Sequence, residues 1–431
     1  MKLLVIPASL DLTQPFSATP AWWQLLKALY EIGVEVIATP YQGPAIESLW
    51  WRAEPNPAQW QGDAFKTARD TLRKLVGEKP PVQIDESHQS LDPDNQQNPA
   101  LDSPSTYTGR AAEGVGGGVR PGGEVESAFD RLIRQTVQTV ITPIWARHLD
   151  RILTQQPDID AVLILTAPLN HLNGIAAEIQ RKHHKPVFYY DGDVPASLPS
   201  LSGFASGFRI YQGANPAEYT AIISNSKGGE DALKALGARA VHTVYYGADP
   251  DVFSPVDVPA QDLDVMFYGH GKEYRAQWVD DMIAAPSNML SDSKFAVRGT
   301  KLGDLGRTQL LPYLSFSKLR EYACRSKINL CITRRAHASV YASSSSRPFE
   351  LSAMGCCIVA NPYLGIEEWF EPGKELFVVN SRDEAIDRYR YLLAHDTERL
   401  AVGRAARERV LKEHTFRHRA QQLVGIMQKY H

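Results

Sequence analysis

Arg347 and Glu350 are the residues of this 431-residue chain whose types and spacing speak most directly of chemistry. They open the stretch SSSSRPFELSAMGCCIVANPYLGIEEWFEPGKELFVVNS, Ser343 to Ser381. Pro348 suits the first position of a helix, where its missing N–H costs nothing, and Gly355 suits a left-handed helix end. The spacing therefore predicts a short helix over Phe349 to Met354. CCIVAN then reads as a buried strand, which puts the start of the helix at the carboxyl side of a parallel sheet, where open α/β folds bind ligands. Free N–H groups and the helix dipole favour an anion there. Arg347 adds a fork matched to phosphate oxygens, and Glu350 a pure acceptor matched to a ribose diol. Together they could hold a nucleoside diphosphate. A plainer reading fits the same residues: Glu350 offsets the dipole and Arg347 points to water.

Other cations stand at predicted strand ends. GHGKEYR follows the apolar DVMFY, with Gly269 and Gly271 where a backbone can approach phosphate and with Lys272 and Arg275 behind them. Arg334 and Arg335 follow KINLCIT in the same way. Breaking a bond from sugar to diphosphate builds negative charge on the leaving oxygens, and pre-aimed cations lower that barrier. Solvated charge on a strand-to-helix loop is the alternative for each.

A hydroxyl acceptor must also lose a proton, which calls for a carboxylate or imidazole. Asp191 and Asp193 end PVFYYDGDVP, and His171 follows AVLILTAPLN. All three stand at ends of strands in the first half of the chain, where turn and capping roles are the competing explanation. Asp191-Gly-Asp193 is also spelled like a metal site. The same spacing recurs at Asp92 and Asp94, Asp158 and Asp160, Asp249 and Asp251, and Asp262 and Asp264, so composition alone produces it. No metal is expected.

The elements that must position these residues alternate between strand and helix. KLLVIPA, a helix from Ala21 to Ile32 stopped by Gly33, and VEVIATP form a first βαβ unit. A long amphipathic run from Phe129 to Leu153 leads into AVLILTA, a helix near Gly174 to His183, PVFYYDG, AIISNS and VHTVYYG. A second alternation runs from DVMFYGH through a helix to Ala285, KFAVRGT, a helix near Ser317 to Arg325, and KINLCIT. The expected fold class is α/β, two Rossmann-like doubly wound domains facing each other across a cleft. The proline-rich SPVDVP within Asp249 to Pro259 suits the hinge. No GxGxxG follows the first strand, which removes the main support for a nicotinamide-dinucleotide site. Residues 83–127 have almost no large apolar side chains and are expected to be a flexible surface insertion. Their GVGGGVRPGG lacks the preceding strand and following Lys-Ser or Lys-Thr of a phosphate loop.

Composition narrows the class. A hydrophobic share of 43% and a charged share of 22% are those of an ordinary globular protein, and a net charge of −3 gives no general pull toward nucleic acid. Met1 to Leu10 is too short for a signal-peptide core and no 18-residue apolar run follows, so a cytoplasmic location is expected. Cys324, Cys331, Cys356 and Cys357 lack zinc-site spacing and read as small buried hydrophobes. The C-terminal run Arg404, Arg407, Arg409, Lys412, Arg417 and Arg419 could touch anionic lipid, but Glu408 and Glu413 favour an ordinary salt-bridged helix face.

From about Ile222 onward the order of motifs resembles GT-B glycosyltransferases, most closely their spore-maturation-type branch. ISNSKGGEDALKALGARAVHTVYYGADPDVFSP is similar to that family's strand end, helix and hinge, with Gly247, Ala248, Asp249, Pro250, Phe253 and Pro255 in the hinge signature. RPFELSAMGCCIVAN is similar to its donor-site helix and strand, and YLGIEEWFEPGKELFVV with ERLAVGRAARERVLKEHTFRHR to its C-terminal third.

The resemblance implies an acceptor-side domain over 1–248, a nucleotide-sugar domain over 249–414, and a C-terminal helix over 415–431 that crosses back. It implies transfer of a sugar from a UDP- or GDP-sugar to a hydroxyl on a glycan, lipid-linked, protein or small-molecule acceptor, with no required cofactor. It also supports the GHGKEYR turn as part of the donor site and favours Asp193 as an "Asp-x-Pro" residue. One departure stands out. Many retaining members carry a second glutamate eight positions before the ribose-binding one, where this chain has Ala342, so Gly365 to Glu368 could instead approach the sugar. An epimerase or hydrolase on the same scaffold, and a catalytically idle nucleotide-sugar-binding partner protein, are the alternatives.

Overall fold

A computed structural model describes residues 1–11, 21–62, 64, 67, 128–199, 210–271 and 275–430. The expected flexible insertion, 83–127, and the candidate Lys272 lie outside them.

The first domain contains strands β1 (Lys2–Pro7), β2 (Glu35–Ala38), β3 (Arg52–Ala53), β4 (Ala161–Leu165), β5 (Val187–Asp191), β6 (Ala221–Ser224) and β7 (Val241–Thr243). They form a parallel sheet ordered β3-β2-β1-β4-β5-β6-β7. Helices α1 (Ala21–Glu31), α2 (Ala128–Gln155), α3 (Ile175–His183) and α4 (Glu230–Ala235) connect them. Central strands such as AVLIL are buried at every position, because helices cover both faces and leave no side for polar residues.

The second domain repeats the plan. Strands β8 (Leu263–His270), β9 (Phe295–Thr300), β10 (Gln309–Leu310), β11 (Ser326–Cys331), β12 (Ile358–Ala360) and β13 (Phe377–Val378) form a parallel sheet ordered β10-β9-β8-β11-β12-β13. Its helices are α5 (Ala276–Val279), α6 (Ala285–Met289), α7 (Phe316–Arg325), α8 (Arg335–Ser339), α9 (Ser346–Ala353), α10 (Arg382–Ala394) and α11 (Asp396–Glu413). The single helix expected up to Ala285 is interrupted instead. A π turn over Asp280–Ala284 separates α5 from α6, and Pro286 opens the latter. The two-residue strands β3, β10 and β13 were beyond sequence reading, since two residues carry no period.

The last helix, α12 (Phe416–Met427), leaves the second domain and packs on the first. Phe416, Ala420, Leu423, Ile426 and Met427 share a core with Leu25, Leu26 and Leu29 of α1 and with Leu3 and Val5 of β1. Each such large side chain contributes about 1.5–3 kcal/mol by leaving water. The two crossings lie side by side: Ala248 donates its N–H to His414 O at 3.1 Å, and Phe416 donates to Ala248 O at 3.0 Å. A side chain at Gly247 would meet His414 O at 2.6 Å, so only glycine allows this approach. Lys27 of α1 clamps the hinge through Asp249 at 2.9 Å and Asp251 at 2.8 Å.

Arg404, Lys412 and Arg417 of the basic C-terminal run are exposed, while other members of it are engaged by protein. Arg409 pairs with Glu375 and Glu413, and Arg419, 6% exposed, donates to the carbonyls of Tyr246 and Glu413. No described helix is long and apolar enough to cross a membrane.

Candidate active site

In each sheet the strand order reverses once, between β1 and β4 and between β8 and β11. Loops leaving the carboxyl ends of the strands diverge at such a point and open a crevice for ligands. In the second domain those loops begin after His270 and after Cys331. Arg275 ties them together, its Nε donating to Ile332 O at 3.1 Å. Arg334 lies two residues further on, as the residue before α8.

Helix α9 lies further along the connection that begins after Cys331, between α8 and β12. It begins at Ser346 after an extended Ser345, not at Phe349, so Pro348 occupies its third position. Ser346, Arg347 and Pro348 extend the helix backward from Phe349, because proline needs no hydrogen-bond partner anywhere in a first turn. Gly355 ends the helix with φ +73°, as its spacing predicts.

Arg347 lies across Phe267 and Tyr268 of β8, with its guanidinium carbon 5.2 Å and 4.8 Å from the ring centroids. A side chain at Gly269, whose φ is +153°, would meet the Arg347 guanidinium at 2.8 Å. Glycine at 269 is thus what lets the cation settle over the strand end. Its Nε is buried with no hydrogen-bond partner among the described residues. Glu350, one turn on and 1% exposed, accepts from the Tyr268 hydroxyl at 3.4 Å. Gly271 has a structural reason of its own, since a side chain there would collide with the backbone of Lys301 and Leu302.

His270 registers the charge of this region. Its Nδ1 lies 2.7 Å from Thr300 Oγ1, and its pKa is pushed down to about 4 by burial, then by Arg275, Arg347, Arg298 and Lys301. Four cations therefore converge on one neutral imidazole at the end of β8 and β9. Sequence reading missed Arg298, Lys301 and His270. Their position at the end of KFAVRGT and DVMFYGH was the available signal. His414, between the domains, is likewise held down to about 3 by burial.

These imidazoles give stability a definite slope. The unfolded chain takes up protons below about pH 6.5, before the folded one does, so stability falls as the pH drops through that window toward 4. For His270 alone the full loss is about 3 kcal/mol. Carboxyls raised by burial, Asp191 to about 6 and Glu218 to about 7, act in the opposite sense over the same window, so the test is differential. His270→Asn should lose less melting temperature between pH 7 and pH 5 than the parent, and equal losses would contradict the assignment.

On the opposite side, Asp191 is 1% exposed, and its oxygens accept from Ser197 Oγ at 2.6 Å, Tyr211 OH at 2.7 Å and Asp193 N–H at 2.9 Å. Burial pushes its pKa up to about 6 despite these donors. This carboxylate builds the turn that presents Asp193. The metal-like spelling therefore resolves into two residues doing different things, and no cluster of three His, Cys, Asp or Glu side chains suited to a metal occurs among the described residues. Asp193 pairs across the interface with Arg334, and His337 Nε2 stands 4.0 Å from it. His171 belongs to another group: its Nδ1 meets Tyr41 OH at 2.7 Å, and Tyr41 stacks on Trp145. It stands beyond the end of β4, at the reversal point of the first sheet.

The domains touch directly beside the site. Ser226 Oγ meets Ser343 Oγ at 2.6 Å, and Asn225 exchanges bonds with Ser344, donating Nδ2 to its carbonyl and accepting its N–H, both at 2.9 Å. Glu368 accepts from Tyr341 OH at 2.7 Å and from Lys227 at 2.9 Å, so this member of the Gly365–Glu368 segment serves the interface. Arg335 is buried, at 8% exposure.

Ala342, in the position of the retaining family's second glutamate, is 0% exposed with φ +46° and packs against Gly365. No room exists there for a carboxylate. Ala342→Glu should cost about 3 kcal/mol or more by burying a charge, read as a lost or strongly lowered melting transition. A melt within a degree or two of the parent would show that the segment can open.

Residues 267–425 match the family model described as glycosyl transferase-like. A comparison with curated proteins gives no significant match. Among solved structures the chain is similar to sucrose-phosphate synthase from Thermosynechococcus elongatus, with TM-score 0.61, 12% identity, and coverage of 100% of this chain and 99% of that one. It is also similar to Anabaena HepE in complex with UDP-glucose, with TM-score 0.55, 11% identity and full coverage of both chains. An alpha,alpha-trehalose-phosphate synthase (UDP-forming) from Burkholderia vietnamiensis gives TM-score 0.56 at 11% identity, covering 99% of this chain and 98% of that one. The chain thus has the two-domain GT-B architecture of these structures, and within it residues 267–425 are similar to a glycosyl transferase-like family model.

Proposed function

We propose that the protein transfers a sugar from a UDP-sugar to a hydroxyl acceptor. The observation that carries this reading is the convergence of Arg275 and Arg347 at the reversal point of the second sheet, with Arg298 and Lys301 beside them. Such a cluster suits a diphosphate whose charge grows as the sugar departs. Arg347 and Arg275 are the diphosphate ligands, the candidate Lys272 lies outside the described residues, and the backbone at Gly269 and Gly271 allows close approach. Glu350, beside Arg347, is the ribose acceptor. Asp193 is the acceptor-side base, and Asp191 holds its turn. His171 lines the first domain's crevice. UDP is favoured over GDP because solved neighbours with this fold are described with UDP-glucose or as UDP-forming.

Arginines take the place a divalent ion would otherwise fill, so chelation should leave transfer intact. The test is incubation with UDP- and GDP-sugars under EDTA, reading nucleotide release and the product. A shift of melting temperature with UDP, release of UDP and an enlarged acceptor support the reading. Binding without turnover with any acceptor would favour an idle module, and free sugar or an epimer as the product would favour the hydrolase or epimerase.

A further inference from the structure

Arg334 was expected among the phosphate ligands and Asp193 at the acceptor, yet the structure joins the two. The Arg334 side chain is 13% exposed and that of Asp193 27%, so the pair between the two domains is not sealed from solvent. Arg334 also touches a buried imidazole: Nε donates to His337 Nδ1 at 2.9 Å, and His337 is 3% exposed. Burial pulls the Arg334 pKa down to about 10 and holds His337 uncharged. A guanidinium so desolvated is strongly drawn to anionic charge. Its neighbours lead toward the donor site, because Arg275 grips Ile332 O two residues before it and acts on the same His337 imidazole.

We propose that Arg334 is a shared cation, held by Asp193 in the empty cleft and drawn away by the diphosphate of an arriving donor, so that Asp193 is released only once donor is in place. This rests on the donor site proposed above. Arg334 is then a positioning residue that acts through Asp193, and donor binds before acceptor. Asp193 and the phosphates compete for one guanidinium, which makes an unusual consequence: removing an acidic residue from the opposite domain strengthens nucleotide binding.

Calorimetric titration with UDP at fixed salt tests this on the full chain, comparing the parent with Asp193→Asn, Arg334→Gln and the double variant. Asp193→Asn should bind UDP about three- to tenfold more tightly, as expected for releasing a partly exposed ion pair. Arg334→Gln should bind about tenfold more weakly, and the double variant should match Arg334→Gln. Asp193→Ser should repeat the gain, which guards against a local defect of one substitution, and melting curves check that each variant is folded. Unchanged or weaker binding by both Asp193 variants would overturn the proposal and leave the pair as a strut between the domains. A gain that persists without Arg334 would overturn it as well. Those outcomes leave the donor site standing, whereas failure of every protein to bind UDP would sink both readings.

Discussion

Arg347→Gln should lower kcat/KM for a UDP-sugar by about 10²–10³-fold, the size expected when one pre-aimed donor to a developing anion is removed. Glutamine keeps a polar side chain of similar reach but loses the charge and the two-pronged geometry. The loss should appear in UDP affinity as well as in turnover, because the guanidinium meets the diphosphate before and during bond breaking. Folding is a separate matter. Arg347 also rests on Phe267 and Tyr268, so the variant should lose about 1 kcal/mol of stability at most. A variant that transfers sugar at the parent rate would remove α9 from the donor site.

Asp193→Asn should reduce kcat by about 10²–10⁴-fold, the usual contribution of a positioned general base. KM for the donor should not rise, and UDP should bind more tightly. This split separates chemistry from architecture. If the carboxylate were only a strut for Arg334, its loss would loosen the interface, weaken donor binding and leave the chemical step with a smaller defect. Retention of full turnover would move the base elsewhere, and His171, poised beside Tyr41, would be examined next by His171→Gln.

Several features of the site were legible from residue order because their causes are local. Gly355 ends α9 where a left-handed turn is needed, whereas the contact that requires glycine at 269, with Arg347, is long-range and visible only in the fold. Strand-end positions followed from apolar runs, since a parallel strand covered on both faces must be apolar along its length. The start of α9 was misplaced by three residues because proline is tolerated throughout a first turn, so its presence does not fix which position it occupies. Asp191 and Asp193 looked equivalent in the sequence. Only the fold shows that Ser197 and Tyr211 hold the former inside the turn while the latter meets the other domain.

The sequence by itself determined two α/β sheets, the alternation that makes them parallel, and two of the cations at the end of the second, Arg275 and Arg347, because periodicity and turn chemistry act over a few residues. The tertiary structure alone decided which charges meet: Arg334 with Asp193, Lys227 with Glu368, and Lys27 with the hinge. Those partners are separated by 141, 141 and more than 200 positions along the chain, and no local rule relates residues so far apart. Their pairing depends on how two finished domains dock, which is fixed by the return of α12 and by the contact of Asn225 and Ser226 with Ser343 and Ser344.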